Sequence, residues 1–255
     1  MESEFYITLP SNSSMSFYPD NKTGNYTTKL PRTIELSGEW EVGMSDIKYP
    51  HTWYNVREGK NTIEVFHGPL QLRKEITIRP GYYDTVGKLL KRLWDGGADG
   101  GLKDWKDITL KHDKVSKRVE AQCKNRNETL VLRDDIARIC GFKSPTTIMS
   151  HLTASYTLAL PDTGNQYFYV YTDIIEGQYY GDVVAKILQT VTVKGEHGSY
   201  VNKHYERPNY LPLSLNNFDT ISINIRDEAG DLVAFEYGKV NITLHFRRRK
   251  TSYYI

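Results

Sequence analysis

The sequence has few cysteines, no long apolar run and almost no excess of charge of one sign. Its two cysteines, Cys123 and Cys140, are too few for a disulfide framework or a cysteine metal cage, and we expect both to be buried free thiols. No apolar segment approaches the roughly 18 residues that a membrane-spanning helix needs. With 33 Lys and Arg against 31 Asp and Glu, the net charge of +2 does not require nucleic-acid binding.

The amino terminus lacks the features of a secretion signal. Residues 1–4 contain no basic segment, and no apolar segment of signal-peptide length follows them. We therefore expect a protein that is not secreted.

Motifs for catalysis and cofactor binding are also missing. The seven histidines include no His-x-His pair and no His-x-x-x-His, which a cupin-type or helical metal site would need. No glycine-rich loop precedes Lys-Ser or Lys-Thr, and no Gly-x-Ser-x-Gly occurs. Asp134 and Asp135 would diverge by about 100° on a helix, which favours capping and dipole roles over a catalytic pair. We expect no enzyme activity, no metal and no cofactor.

What the sequence does contain is period-two alternation, which is typical of strands with one buried face. It is clearest near the carboxyl terminus, where apolar residues alternate over 219–226 and 240–246. His245 lies between Leu244 and Phe246, so we expect it to point away from the apolar face and to be solvated or interfacial. Pro31 indicates an edge position or a bulge, because proline cannot donate to a strand ladder. Further strands are predicted at 5–9, 26–36, 40–49, 61–66, 72–78, 151–160, 167–173, 183–193 and 200–204.

The periodicity changes to that of a helix after Gly81. Val86, Leu89 and Leu93 share one helical face, Asp84 or Thr85 can cap its start, and glycines 96–97 can end it. A hairpin is predicted over 108–123 and a second helix over 134–140. These patterns predict an α/β lobe at 81–144, inserted into a β domain that comprises 1–80 and 145–255.

Several segments, in their order and spacing, resemble one known family. Near the carboxyl terminus they are Asp219-Thr220-Ile221, Asn224-Ile225-Arg226-Asp227, Gly230, Phe235-Glu236, Gly238-Lys239-Val240 and the run from Thr243 to Arg247; the others are 5–14, 30–36, 38–43 and 169–176. The chain thereby resembles the minor capsid (penton) proteins of Maverick/Polinton-type elements and their virophage-like relatives. The resemblance implies a serine cap for the second helix, at a position where this chain has Arg133.

The resemblance also implies a fold and a role. The fold would be mainly β: a single jelly-roll sandwich of two antiparallel sheets with Greek keys, carrying the α/β insertion. The role would be structural: a homopentamer at the vertex of an icosahedral shell, with strands roughly upright, beside a double-jelly-roll major capsid protein. The protein would be made in the host cytoplasm or nucleus and would reside in the virion.

Some residues are candidates for contacts in such a shell. Because aromatic residues are enriched in interface cores, Trp40, Trp53 and Tyr180 are candidates for subunit contacts, although each is equally consistent with a place in the domain core. The basic run Arg247, Arg248, Arg249 and Lys250 could contact packaged DNA without sequence specificity, or could be a solvated tail.

Two other functions are consistent with a β-sandwich. One is a lectin-like attachment module of a virion, which would bind glycans saturably. The other is a cupin-type metal enzyme, which would copurify with its metal.

Overall fold

The structure is a computed structural model that describes residues 3–97, 100–156 and 166–249. In chain order the strands are β1 Glu4–Pro10, β2 Asn25–Glu35, β3 Trp40–Pro50, β4 Thr62–His67, β5 Leu72–Thr77, β6 Ile108–His112, β7 Val119–Cys123, β8 Glu128–Leu132, β9 Thr146–Ile148, β10 His151–Thr153, β11 Tyr167–Thr172, β12 Gln178–Tyr180, β13 Val183–Ala185, β14 Ile187–Thr192, β15 Tyr200–His204, β16 Leu211–Pro212, β17 Asn217–Arg226 and β18 Asn241–Arg248. The helices are α1 Val86–Asp95 and α2 Asp134–Ile139, with a 3-10 turn at Leu102–Asp104.

The chain forms two compact units, and each has its own hydrophobic core. Unit 1 comprises Met1–Trp53 and Asn165–Ile255, and unit 2 is Tyr54–Gly164. The lobe predicted at 81–144 has different bounds from unit 2, which begins earlier and ends later. The reason is that β4, which alternates like the strands of unit 1, pairs with β5 and β8 inside unit 2.

The sandwich of unit 1 consists of two antiparallel sheets, and β12 and β13 form a separate two-stranded sheet. In sheet A the strand order is β1-β18-β3-β15, with β16 also paired to β3, and in sheet B it is β14-β11-β17-β2. Eight strands form the two sheets of the sandwich apart from the short β16. In chain order they are β1, β2, β3, β11, β14, β15, β17 and β18, and they pair first with last, second with seventh, third with sixth and fourth with fifth. This nested pairing is that of a single jelly roll, in which one long antiparallel ribbon is rolled into two sheets.

The sandwich core forms because each strand turns its apolar positions inward. In β17 the buried residues are Phe218, Ile221, Ile223 and Ile225, as the alternation predicts. Across the two sheets the rings of Phe218 and Phe246 lie 6.0 Å apart, and a second pair joins β3 to β11 through Tyr49 and Phe168 at 4.9 Å. The prediction of a mainly β sandwich is confirmed.

Two predicted strands differ from the structure. The segment 183–193 is divided into β13 and β14, and β13 turns back to pair with β12 instead of continuing along β11. Of the predicted strand 151–160, β10 covers only His151–Thr153, and residues 157–160 lie outside the described residues.

Unit 2 contains the sheets β5-β4-β8-β9 and β10-β7-β6 together with both helices. In α1, Val86, Leu89 and Leu93 are buried, and the amide of Lys88 donates to Thr85 Oγ1 at 3.2 Å, so Thr85 is the cap. The helix ends before Gly96, whose φ of 78° favours glycine.

The second helix begins in a way that the sequence did not predict. Arg133 occupies the cap position without a capping side chain, and the amide of Asp134 donates instead to Ser144 Oγ at 2.7 Å. Asp135 is 2% exposed and accepts hydrogen bonds from Arg57 and Arg138, each with a contact at 2.9 Å. Asp135 is therefore an ion-pair partner that ties α2 to the segment before β4.

Tyrosine hydroxyls are buried inside unit 1. Tyr26 is 2% exposed and donates to the carbonyl of Leu9 at 3.0 Å, which joins β2 to β1 across the sandwich. Burial raises the pKa of Tyr26 and raises that of Tyr205 to about 12. These hydroxyls stay protonated well above the ordinary tyrosine pKa.

We expect the buried pair at Asp135 to stabilise unit 2. Replacement by Asn removes the buried carboxylate that Arg57 and Arg138 both contact and should lower the free energy of unfolding by roughly 3 kcal/mol. Denaturant unfolding, monitored by hydrogen exchange of the amides in unit 2, measures the loss. The matched control is Asp134→Asn, because Asp134 is exposed and asparagine tolerates its φ of 47°; equal losses in both variants would contradict the assignment.

Stability should decrease at alkaline pH. A tyrosine whose pKa is raised by folding binds its proton more tightly in the folded state than in the unfolded chain. Its contribution is therefore complete below about pH 10, the unfolded pKa, and is lost as the pH rises through the folded pKa. Urea unfolding midpoints measured between pH 9 and pH 12, at steps of about half a pH unit, follow the decline. The Tyr205→Phe variant should show a smaller decline, and an unchanged midpoint across this range would refute the expectation.

Candidate assembly surfaces

Two of the three aromatic residues considered for subunit contacts lie in the core of unit 1. Trp40 is 9% exposed, packs against Phe5 at 5.6 Å and donates through Nε1 to the carbonyl of Ser37. Trp53 is 4% exposed and contacts the rings of His51 and Phe235. For both tryptophans the structure thus matches the core alternative.

Tyr180, by contrast, lies on an exposed hairpin. We call β12, β13 and their turn the apolar hairpin. Tyr179 pairs with Val184 and Tyr180 with Val183, so each pair shares a face. All four side chains are exposed, Tyr179 at 92% and Val184 at 65%. Four exposed apolar side chains on one hairpin form the kind of patch that marks a contact surface.

The hairpin is anchored to the sandwich by its less exposed face. The hydroxyls of Tyr180 and Tyr169 lie 3.1 Å apart, and the two rings meet edge to face at 5.6 Å. A side chain at Gly177 would place its Cβ 2.6 Å from Val184, so glycine allows the hairpin to fold close to its own entry segment. The Tyr179 and Val184 face is left exposed.

A groove of about 760 Å³ lies between β1 and β2. These are the edge strands of sheets A and B. We call it the edge groove; it is lined by Phe5, Tyr6, Ile7, Thr8, Leu30, Pro31, Arg32, Thr33, Ile34, Glu35, Leu36, Ser37 and Trp40. Pro31 lies on an edge strand where the register with β17 shifts, and both features match its predicted role.

The outer face of sheet A holds a polar and aromatic cluster around His245. The His245 ring is 7% exposed and stacks on Tyr6 at 4.3 Å, while its Nδ1 lies 2.7 Å from the hydroxyl of Tyr210. Its Nε2 lies 3.3 Å from the Glu4 carboxylate. His245 does point away from the apolar face, as the alternation predicts, but Tyr6 and Tyr210 cover it. Neither tyrosine could be identified from sequence, because both lie far from His245 along the chain.

The basic run at the end of β18 is largely paired. Arg247 donates to Glu41 at 2.6 Å and lies 3.4 Å above the ring of Tyr210. Arg249 lies 3.7 Å from a Glu39 carboxylate oxygen. Arg248 has no carboxylate partner within the described residues, and Lys250 lies outside them. Two of the three described arginines therefore have their charge offset within unit 1.

No group of three or more metal-ligating side chains occurs within 3–97, 100–156 and 166–249. In the same residues, no helix has the length and apolar character needed to cross a membrane. Cys123 and Cys140 are buried and free, as predicted, and burial raises the pKa of Cys140 to about 12. Both thiols therefore remain protonated at neutral pH.

Comparison with known proteins gave similarities to solved structures alone. No protein-family model and no curated protein matches the chain. The chain is similar to the crystal structure of the mavirus penton protein, with 10% identity and a TM-score of 0.49 over 96% of this chain and 99% of that chain. It is also similar to a chain of the Sputnik virophage in a 3.5 Å cryo-EM structure, with 8% identity and a TM-score of 0.46 over 100% of both chains.

The pairing of the basic run predicts how its DNA affinity responds to mutation. Replacing Glu39 and Glu41 by Gln frees Arg247 and Arg249 for phosphate contacts, so the variant should bind mixed-sequence duplex DNA more tightly. The slope of the logarithm of the DNA-binding constant against the logarithm of the salt concentration should become more negative by roughly one to two. Fluorescence anisotropy over a salt series measures both.

The control for this experiment changes net charge by the same amount elsewhere. Glu58 and Glu206 are exposed and form no ion pair with an arginine within the described residues, so their double Gln variant frees no cation. If both double variants gained affinity equally, the effect would reflect net charge, and the basic run would not be the contact.

Proposed function

We propose that this chain is a structural minor capsid protein, the penton of a Maverick/Polinton-type or virophage-like particle. The observation that carries the proposal is where the resembling segments lie. Most of them fall on β1, β2, β3, β11, β17 and β18, and the others near the carboxyl terminus lie in the connection between β17 and β18; all of these belong to unit 1. Segments scattered along the sequence thus contribute six of the eight strands of one hydrogen-bonded sandwich.

The number of jelly rolls favours the minor over the major capsid role. Unit 1 accounts for the eight nested strands of one jelly roll, and unit 2 has sheets and a core of its own. In the resembled family the major capsid protein is the one with two jelly rolls. We therefore propose that this chain occupies the vertex and contacts a separate double-jelly-roll protein.

At a five-fold vertex each copy would contact two neighbours through different surfaces, because closure by rotation requires a heterologous interface. Tyr180 belongs to the apolar hairpin, which makes that hairpin our candidate for one of these surfaces. Trp53 would support the ring only indirectly, through the core of unit 1, whereas Trp40 belongs to that core and also lines the edge groove.

The buried charges of unit 2 have structural roles in this proposal. Asp135 is neutralised by Arg57 and Arg138, and Glu64 by Arg73 and Arg133. Carboxylates held this way brace the fold and have no free proton-transfer role. We propose a non-enzymatic protein of the virion vertex, made in the host cytoplasm or nucleus.

Size-exclusion chromatography with light scattering tests the proposal on the full chain. We expect an assembly with five times the 29.4 kDa chain mass, formed alone or on addition of the double-jelly-roll capsid protein of the same element. A monomer that persists with that partner present, together with saturable binding on a glycan array, would favour the attachment-module alternative. Retention of a stoichiometric metal would favour the cupin-type alternative.

A further inference from the structure

The apolar hairpin and the edge groove lie at opposite edges of the same sandwich. The hairpin connects β11 to β14, and these two strands form one edge of sheet B. The groove lies along β2, the other edge strand of sheet B, and along β1, the edge strand of sheet A beside it. One copy thus presents an exposed projection on one side and a concave surface on the other.

Both surfaces also lie toward the same end of sheet B. The hairpin follows β11, whose last residue, Thr172, pairs with Ile223 of β17. Beyond Thr172 the chain continues toward the start of β17, because the amide of Ser222 donates to Asp173 at 2.9 Å. On the opposite side, Ile34 of the groove pairs with Phe218. With the strands upright, the two surfaces would be at similar heights, as a closed ring without rise requires.

The chemistry of the two surfaces is complementary. Tyr179 and Val184 offer apolar contact area, and the groove offers Phe5, Ile34 and Leu36. The turn of the hairpin carries Asp182, which is exposed and has no cationic partner within the described residues. The groove carries Arg32, which is exposed and has no carboxylate partner in the same part of the chain.

The size of the groove suits such an occupant. Its volume of about 760 Å³ is within the range of roughly 300–1,000 Å³ that takes up a drug-sized molecule, which is enough for two side chains and part of a turn. A buried aromatic anchor in a pocket dominates the energetics of many protein interfaces. A charge pair at the rim contributes mainly to specificity and register.

We propose that the apolar hairpin of one copy inserts into the edge groove of the next copy, with Tyr179 and Val184 against the apolar groove wall and Asp182 paired with Arg32. The contact is head to tail: each copy donates one hairpin and accepts another, and rotation closes the ring. The inference rests on the proposed vertex function and assigns residues to its ring interface.

A cysteine experiment tests the contact between copies. Val184→Cys and Ile34→Cys are prepared as separate full-length proteins, one carrying a mass tag, and are mixed under mild oxidation; the native cysteines are buried. We expect a disulfide-linked heterodimer in the mixture and no linked dimer from either protein alone. Self-linkage of Val184→Cys, or no mixed product, would overturn the proposal.

A charge-reversal experiment tests the pairing of Asp182 with Arg32. Asp182→Arg and Arg32→Asp should each weaken association between copies by about tenfold, because like charges then face each other. Combining both changes in one chain should restore association. Glu206→Arg, at an exposed carboxylate outside both surfaces, is the matched control and should have no effect.

The outcomes separate this inference from the function on which it rests. Five-fold assemblies without mixed cross-linking, or without rescue in the double variant, would overturn the hairpin contact and leave the vertex function standing. Absence of any five-fold assembly, with or without the double-jelly-roll protein, would overturn both.

Discussion

The pairing of β18 with β1 and β3 is the constraint on which unit 1 depends. β18 lies between these two strands in sheet A, so the sheet is complete only when the last strand has taken its place. The contacts are long-range; the hydroxyls of Thr8 and Thr243 meet although 235 residues separate them. Because Phe246 also stacks on Phe5 and Phe218, the same strand joins the two layers of the sandwich.

The alternation of β18 divides its residues between two tasks. Ile242, Leu244 and Phe246 are buried in the core, while His245 and Arg247 lie on the opposite face. There Tyr210 contacts both residues, and Glu41 neutralises the arginine. His245, which looks solvent-facing in sequence, is therefore covered and Arg247 is paired in the folded chain, while Arg248 is exposed. The edges of the sandwich carry strands with an unpaired side and the exposed hairpin.

Unit 2 shows the same distinction between local pattern and long-range pairing. The predicted helices, the hairpin over 108–123 and the strands near 61–78 all form close to their predicted positions. The unit to which β4 and β5 belong could not be predicted from sequence. Period-two alternation indicates that a strand has a buried face, but it does not indicate which sheet covers that face. The serine that receives the first amide of α2 was missed for a related reason: Ser144 follows the helix in sequence.

Sequence alone determined the mainly β class, both helices, the edge position of Pro31, the inward residues of β17 and β18, and the buried free cysteines. Each of these follows from residue type or from the spacing of neighbouring residues. The tertiary structure alone decided that Trp40 and Trp53 are buried while Tyr180 is exposed, that Glu41 and Glu39 pair with Arg247 and Arg249 of the basic run, and that the hairpin and the groove lie at opposite edges of the sandwich. These features depend on which distant segments meet, and local periodicity contains no information about that choice.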